Sequence, residues 1–310
     1  MKKASALLLS LGFVAHLSGA GPSSAQDLSP KWEDLTSPDF GKAIRRAAGV
    51  CVLPIGSIEK FGPAGPLGTN VYVIRRMALE AVKQEYAVVF PEYFVGTTNN
   101  VSNHPGTIAY SPGLRRAMLE ETTGEMARNG CKKILILNGH SANLAMLQDF
   151  LSASMSKPRD HVVYAMQGGP PRMSPLTEET ARLPAALRPS RPDADGHGGE
   201  ERISVLLAHY PDLVHLDRAH DEPIVPVGSR RLDLPSGVLV GVSWFKAVPT
   251  GYLGDASGAT AARGKALTEY TATRLAEAIR AVKADEESPR LQEEFFKKML
   301  NPIDVEEEHP

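Results

Sequence analysis

Leu53-Pro54-Ile55-Gly56-Ser57-Ile58-Glu59-Lys60-Phe61-Gly62-Pro63-Ala64-Gly65-Pro66-Leu67-Gly68-Thr69-Asn70 is the stretch from which the fold can be read. The apolar run Val50–Ile55 stops at Gly56. A loop of glycines and prolines follows, and a helical pattern begins at Val71. Strand, rigid polar loop, helix is the arrangement that places chemistry outside the carboxyl ends of strands in open α/β sheets. Proline fixes φ and glycine permits tight turns, so this loop can hold Glu59 in one place. A plain Gly/Pro connector with an exposed glutamate is the competing reading of this stretch.

Working outward, the alternation continues. Ser37-Pro38-Asp39 reads as the start of a helix to about Ala48, with Ser37 as N-cap and Pro38 at N1. Val71–Glu85 is amphipathic, with Val71, Ile74, Met77, Ala78 and Ala81 on one face. Ala87–Phe90 reads as a strand, Ser111-Pro112 opens a helix that stops at Gly130, and Ile134–Leu137 is a short apolar strand of the kind found inside parallel sheets. Leu144–Met155 reads as a helix, His161–Met166 as a strand, Gly198–His209 as a helix and Ser257–Ala284 as a long one. Strands alternating with helices predict a parallel α/β sheet. Gln167–Asp195 is too long for an ordinary connection and reads as a lid or a mobile segment. Leu213–Val242 reads as small edge strands.

The chain ends carry other information. Met1–Ala25 has a basic start at Lys2 and Lys3, an apolar middle and a small-residue end, the order of a cleaved secretory signal. Residues 26–36 read as a polar leader, 37–285 as one domain and 286–310 as a charged tail. Export implies a periplasmic or secreted protein with no membrane contact after cleavage. With 34 basic against 36 acidic residues, nothing points to a nucleic-acid partner. Cys51 and Cys131 both precede or open predicted strands, so they could meet at one end of the sheet. Two buried thiols is the expectation, because buried cysteine is common.

Three strand-end positions can converge. Glu59 follows the first strand, His140 follows Ile134–Leu137, and His197 and Glu200 open a helix at i, i+3 spacing. Carboxylates with imidazoles suit a divalent transition metal. Each signal alone has a plainer reading: His140 as a cap of the next helix, Glu200 as favourable charge at a helix N-terminus.

These motifs resemble those of the creatininase family. The carriers are Pro54–Asn70, Pro105-Gly106-Thr107, Asn138-Gly139-His140-Ser141-Ala142-Asn143, His197-Gly198-Gly199-Glu200 with Ser204, and Gly251–Thr260. Their order and spacing hold from about Leu35 to Lys283. The resemblance implies a three-layer α/β/α sandwich with a mostly parallel sheet, a homo-oligomer, and a two-metal site that hydrolyses C–N bonds of small amides. It implies Glu59, Asn70 and His140 as metal ligands, His197 and Glu200 as catalytic groups, and Ser141, Asn143 and Thr107 as substrate contacts. Two ligand positions have departed: Phe61 stands where the family has histidine, and Ala142 where its creatininase branch has a carboxylate. Asn70 replaces the bridging aspartate. These departures predict at most one ion (zinc, manganese or iron), weakly held or absent.

Three functions follow from these residues. The first is an exported hydrolase acting on an amide, cyclic amide or related C–N bond of a small molecule. The second is an inactive scaffold retained for binding or assembly. The third is a serine hydrolase using Ser141 in a strand–turn–helix elbow, with Asp193, Asp195 and His197 as triad candidates.

Overall fold

The computed structural model describes residues 28–171, 183–192, 195–225, 228 and 230–303. The elements that organise it are α1 (Ser37–Arg46), β1 (Val50–Ile55), α2 (Thr69–Gln84), β2 (Val88–Val89), α3 (Pro112–Arg128), β3 (Lys133–Asn138), α4 (Leu144–Ser154) and β4 (Val162–Gln167). They are followed by α5 (Glu200–His209), the short α6 (Ser243–Ala247), the long α7 (Ala261–Ala284) and α8 (Glu287–Leu300).

The four strands form a parallel sheet in the order β2-β1-β3-β4. Side chains alternate across a strand, and the two core layers follow from that alternation. Val50 and Val52 of β1, with Leu135 and Leu137 of β3, pack on α2, α5 and α7. Cys51, Leu53 and Ile55, with Ile134 and Ile136, pack on residues of α1, α3 and α4. The result is the α/β/α sandwich with a parallel sheet that the sequence predicts. From β1 the chain crosses to β2 on one side by way of α2, then returns by α3 to β3 on the other side. The strand order therefore reverses between β1 and β3, which is where an open sheet leaves a crevice at its carboxyl ends.

Close approach enforces this geometry at two glycines. A Cβ on Gly56 would lie 2.6 Å from the backbone of Val71, so the strand can turn directly beneath α2 only without a side chain. A Cβ on Gly264 would lie within 2.0 Å of Ser204 O, so α5 and α7 can pack backbone to backbone.

Several expectations are corrected. The cap of α1 is Thr36, whose hydroxyl accepts from Asp39 N; Ser37 is already helical. Thr69 and Asn70 belong to the first turn of α2, two residues earlier than the apolar pattern suggests. No strand forms between Leu213 and Val242 among the described residues; that span holds 3-10 turns and irregular backbone, with one isolated bridge from Val225 to Leu253. Prolines at 223 and 235 each remove a backbone donor there. Near the chain's end, α8 lies against β4, buries Phe296 and donates from Gln292 to His161 O. Cys51 and Cys131 are not free thiols but a disulfide closing 80 residues of chain. β1 and β3 are paired neighbours, and that pairing brings the two cysteines together at the amino ends of the strands. No described helix is long and apolar enough to cross a membrane.

Candidate active site

The switch point between β1 and β3 is occupied by a closed polar cluster. Glu59 lies in the loop after β1, Asn70 in the first turn of α2, and His140 just after β3. All three are buried. One carboxylate oxygen, Glu59 Oε1, accepts from Asn70 Nδ2 at 2.6 Å, from His140 Nε2 at 2.9 Å and from Ser57 Oγ at 3.0 Å. Asn70 Nδ2 also contacts Ser57 Oγ at 2.9 Å. Turning the amide over would set an oxygen against a carboxylate oxygen, so the nitrogen must face Glu59. Burial raises the Glu59 carboxyl, but the His140 hydrogen bond, the neighbouring imidazoles and the Ser57 hydroxyl together outweigh it. The net position is below the usual glutamate range, and Glu59 is ionised at neutral pH.

His197 stands beside this cluster. Its Nε2–H donates to Lys60 O at 2.8 Å, since a carbonyl can only accept. That fixes the tautomer and leaves the lone pair on Nδ1. Phe61 packs against the imidazole at 4.5 Å between centroids, and Trp244 approaches edge-on at 5.9 Å. Burial holds His197 below its ordinary value, against the pull of Glu59, so the ring is neutral at pH 7. At the rim, Lys60 Nζ pairs with Glu222 at 2.6 Å.

The other expected site residues are placed differently. Glu200 does not face the cluster. Its carboxylate accepts from Ser190 N and Oγ and pairs with Arg263 Nη1 at 3.3 Å. Asp195, whose carboxyl burial raises, lies on the same guanidinium at 3.7 Å. Helix α7 supplies that arginine, so the pair of carboxylates binds α7 to the start of α5. Asn143 is also internal: its carbonyl accepts from Thr97 N and its amino group donates to Asn138, which fastens the loop after β2 to the end of β3. Thr107 accepts from Lys60 N. Ser141 is exposed at the start of a 3-10 turn and makes no hydrogen bond to an imidazole among the described residues. With Asp195 on Arg263 and His197 on Lys60, no serine triad is assembled there; Asp193 lies outside the described residues.

The metal question turns on the donors. Phe61 is buried where the second ion's histidine would stand, and its ring offers no ligand. Ala142 offers none either. Among the described residues no three His, Cys, Asp or Glu side chains are grouped to hold an ion. Two buried acceptors in the cluster do lack partners, Asn70 Oδ1 and His140 Nδ1. Nδ1 is turned away from Glu59, however: the donors that could share one divalent ion are the Glu59 carboxylate, His140 Nε2 once its proton is released, and the Asn70 carbonyl, and they leave none for a second ion. Asn70 is neutral, so the set carries one negative charge rather than two.

Residues 33–279 match the family Creatininase, described as creatinine amidohydrolase. The chain belongs to the creatininase family. It is 28% identical to a mycofactocin precursor peptide peptidase of Mycolicibacterium smegmatis over 69% of this chain and 77% of that one. It is 25% identical to creatinine amidohydrolase of Pseudomonas putida over 76% and 91%. Among solved structures it resembles a creatinine amidohydrolase at TM-score 0.67 and 21% identity, covering 83% of this chain and 99% of that one. It also resembles a manganese creatininase at TM-score 0.65 and 23% identity, covering 83% and 100%. An amidohydrolase and a peptidase both cleave C–N bonds, and one of the similar solved structures is a manganese form. Sequence reasoning overlooked Ser57, Trp244, the Arg263 cluster and the partner of Lys60: the position of Lys60 beside Glu59 suggests competition with a cation, but its ammonium is taken by Glu222. Ser57 and Lys60 both lie inside the quoted motif; the others carry no local signal.

Proposed function

We propose that this protein is an exported hydrolase of a C–N bond in a small amide, lactam or short peptide, working at the Glu59–His140–His197 cleft with at most one divalent ion. The observation that carries the reading is the buried Glu59–Asn70–His140 cluster at the switch point, with a neutral, tautomer-fixed histidine beside it. Family membership and the relatives' hydrolytic activities support it. The order of residues in Met1–Ala25 and the Cys51–Cys131 disulfide support export to an oxidising compartment. The exposed Leu234, Val238, Leu239, Val240 and Phe245 support a homo-oligomer.

The chain's own groups divide the work. Ser57, Asn70 and His140 hold one oxygen of Glu59, so the carboxylate keeps one orientation. Glu59, His140 and the Asn70 carbonyl would hold a divalent ion, whose chemistry here is polarisation of the scissile carbonyl. His197 Nδ1 takes the proton of the attacking water and returns it to the departing nitrogen, while the Nε2–H···O=C bond keeps the ring from turning. Phe61 and Trp244 pack against the imidazole and help hold the ring in place.

The test is release of amine from a panel of creatinine, small lactams and dipeptides by the mature protein with zinc or manganese. Glu59→Gln and His197→Gln should each lower kcat by about 100-fold or more. No turnover of any member under either metal would defeat the proposal. It would favour the second reading, an inactive binding scaffold, which the ring of Phe61 at a ligand position supports.

A further inference from the structure

The apolar segment between Leu232 and Ala247 is unlike the rest of the surface. Val242 is 57% exposed and Phe245 52%, yet Trp244 between them turns inward. Helix α6, which carries it, rests on the 3-10 turn Asn99–Val101. The indole reaches the imidazole of His197 edge-on, 5.9 Å between centroids. Its Nε1–H is buried and has no partner among the described residues. An indole nitrogen can only donate, and a buried donor left unpaired is destabilising. The group therefore sits beside the proposed base, waiting for an acceptor that the described protein does not supply.

We propose that Trp244 is a substrate-recognising residue whose indole N–H donates to an oxygen of the bound molecule, so that the substrate is an amide bearing a second carbonyl or carboxylate. This rests on the hydrolase reading of the cleft. The scissile carbonyl belongs on the Glu59–His140 side. Trp244 is carried by α6, a different segment from the cluster, and its ring meets His197, so the oxygen it meets stands a few bonds from the scissile carbonyl on the same molecule. The exposed apolar residues around Trp244 explain how the segment is placed: α6 has one inward side chain of any size, and that side chain is directed at the site.

The chain has two tryptophans, Trp32 and Trp244. Trp32 packs on Phe40 and Phe90 in the core layer on the other face of the sheet. A nitrogen–proton correlation spectrum of the mature protein therefore contains two indole signals, and Trp32→Phe assigns them. The probes are N-acetylglycinamide and N-acetylglycine, which carry a second oxygen, and N-ethylacetamide, which does not. The first two should move the Trp244 indole signal downfield and bind about 3- to 10-fold more tightly than the third, the worth of one ordinary hydrogen bond. Trp244→Phe keeps a ring against His197 but removes the N–H; affinities measured by calorimetry should then converge on that of N-ethylacetamide. Equal binding of all three probes to the wild type, or no movement of the Trp244 signal with any of them, would overturn the assignment even if the amides are hydrolysed. The expected shift without hydrolysis would leave Trp244 as a recognition residue and defeat the hydrolase reading instead.

Discussion

Replacing Asn70 with aspartate is the most informative change to the site. Asn70 Nδ2 lies 2.6 Å from Glu59 Oε1, so Asn70→Asp removes a donor and sets two carboxylates at nearly the same distance. Two unit charges at that separation repel by about 6 kcal/mol at an effective dielectric of about 20. The full repulsion is not realised, because the pair can take up one proton. What remains is the lost charge-assisted hydrogen bond plus the burden of the shared proton, about 3–5 kcal/mol together. For a chain of this size that is a fall in Tm of roughly 6–15 °C. The pair's shared proton has a folded-state pKa above the unfolded value, so its stabilising contribution is present at low pH and is lost as pH rises. The variant should therefore recover part of its deficit between pH 7 and pH 5. A divalent cation relieves the same repulsion, so zinc should raise the Tm of the variant more than that of the wild type. Differential scanning calorimetry in chelator and in zinc, at both pH values, reads all of this. An Asn70→Asp protein as stable as the wild type in chelator would show that Asn70 does not hold the Glu59 carboxylate by its N–H donor, and the account of the cluster would fail.

Other consequences follow from neighbouring contacts. Glu200 accepts from Ser190 and pairs with Arg263, so Glu200→Gln should lower stability by about 2–4 kcal/mol in denaturant titration while kcat changes less than about 10-fold. A collapse of kcat without loss of stability would return Glu200 to the catalytic groups. The disulfide closes 80 residues, so Cys51→Ser with Cys131→Ser should cost about 2–5 kcal/mol, read in the same titration. Glu59 and His197 both have folded-state values below their unfolded ones, so the stability each contributes is present above the unfolded value and lost on acidification. Unfolding free energy should start to fall below pH 6.5 as His197 comes to bind a proton more readily unfolded than folded. It should fall again through the carboxylate range. His197→Gln should make the first decline shallower, and His104, His161 and His209, which burial also holds low, should keep the rest of it.

Much of this architecture can be read locally. β1 and β3 are continuous apolar runs ended by Gly56 and Asn138, and their flanking helices carry clear apolar faces, so the parallel sheet and the convergence of Glu59 with His140 follow from the order of elements. Caps differ by a residue or two because Thr36 and Ser37 are chemically interchangeable as caps, and only backbone geometry chooses between them. The region after Leu213 misleads because its apolar residues do not pair into strands: Ala219 and Val225 are buried from turns and irregular backbone, while Leu234 and Val238–Val242 stay exposed near Trp244. Glu200 misleads for a different reason. Its spacing from His197 is compatible with a shared site, but Arg263, 63 residues further on, takes the carboxylate. Long-range partners of that kind leave no local trace. The same holds for Trp244 against His197, and for the disulfide, which required knowing that β1 and β3 are neighbours.

The central claim is a C–N hydrolase cleft that accommodates one divalent ion and excludes a second. It is tested most directly by the number of metal ions held by the mature protein in native mass spectrometry, after titration with zinc and with manganese. The account predicts at most one ion per chain, lost in Glu59→Ala and in His140→Ala, and a second ion only when Asn70→Asp is combined with Phe61→His. Two tightly held ions in the wild type would contradict it.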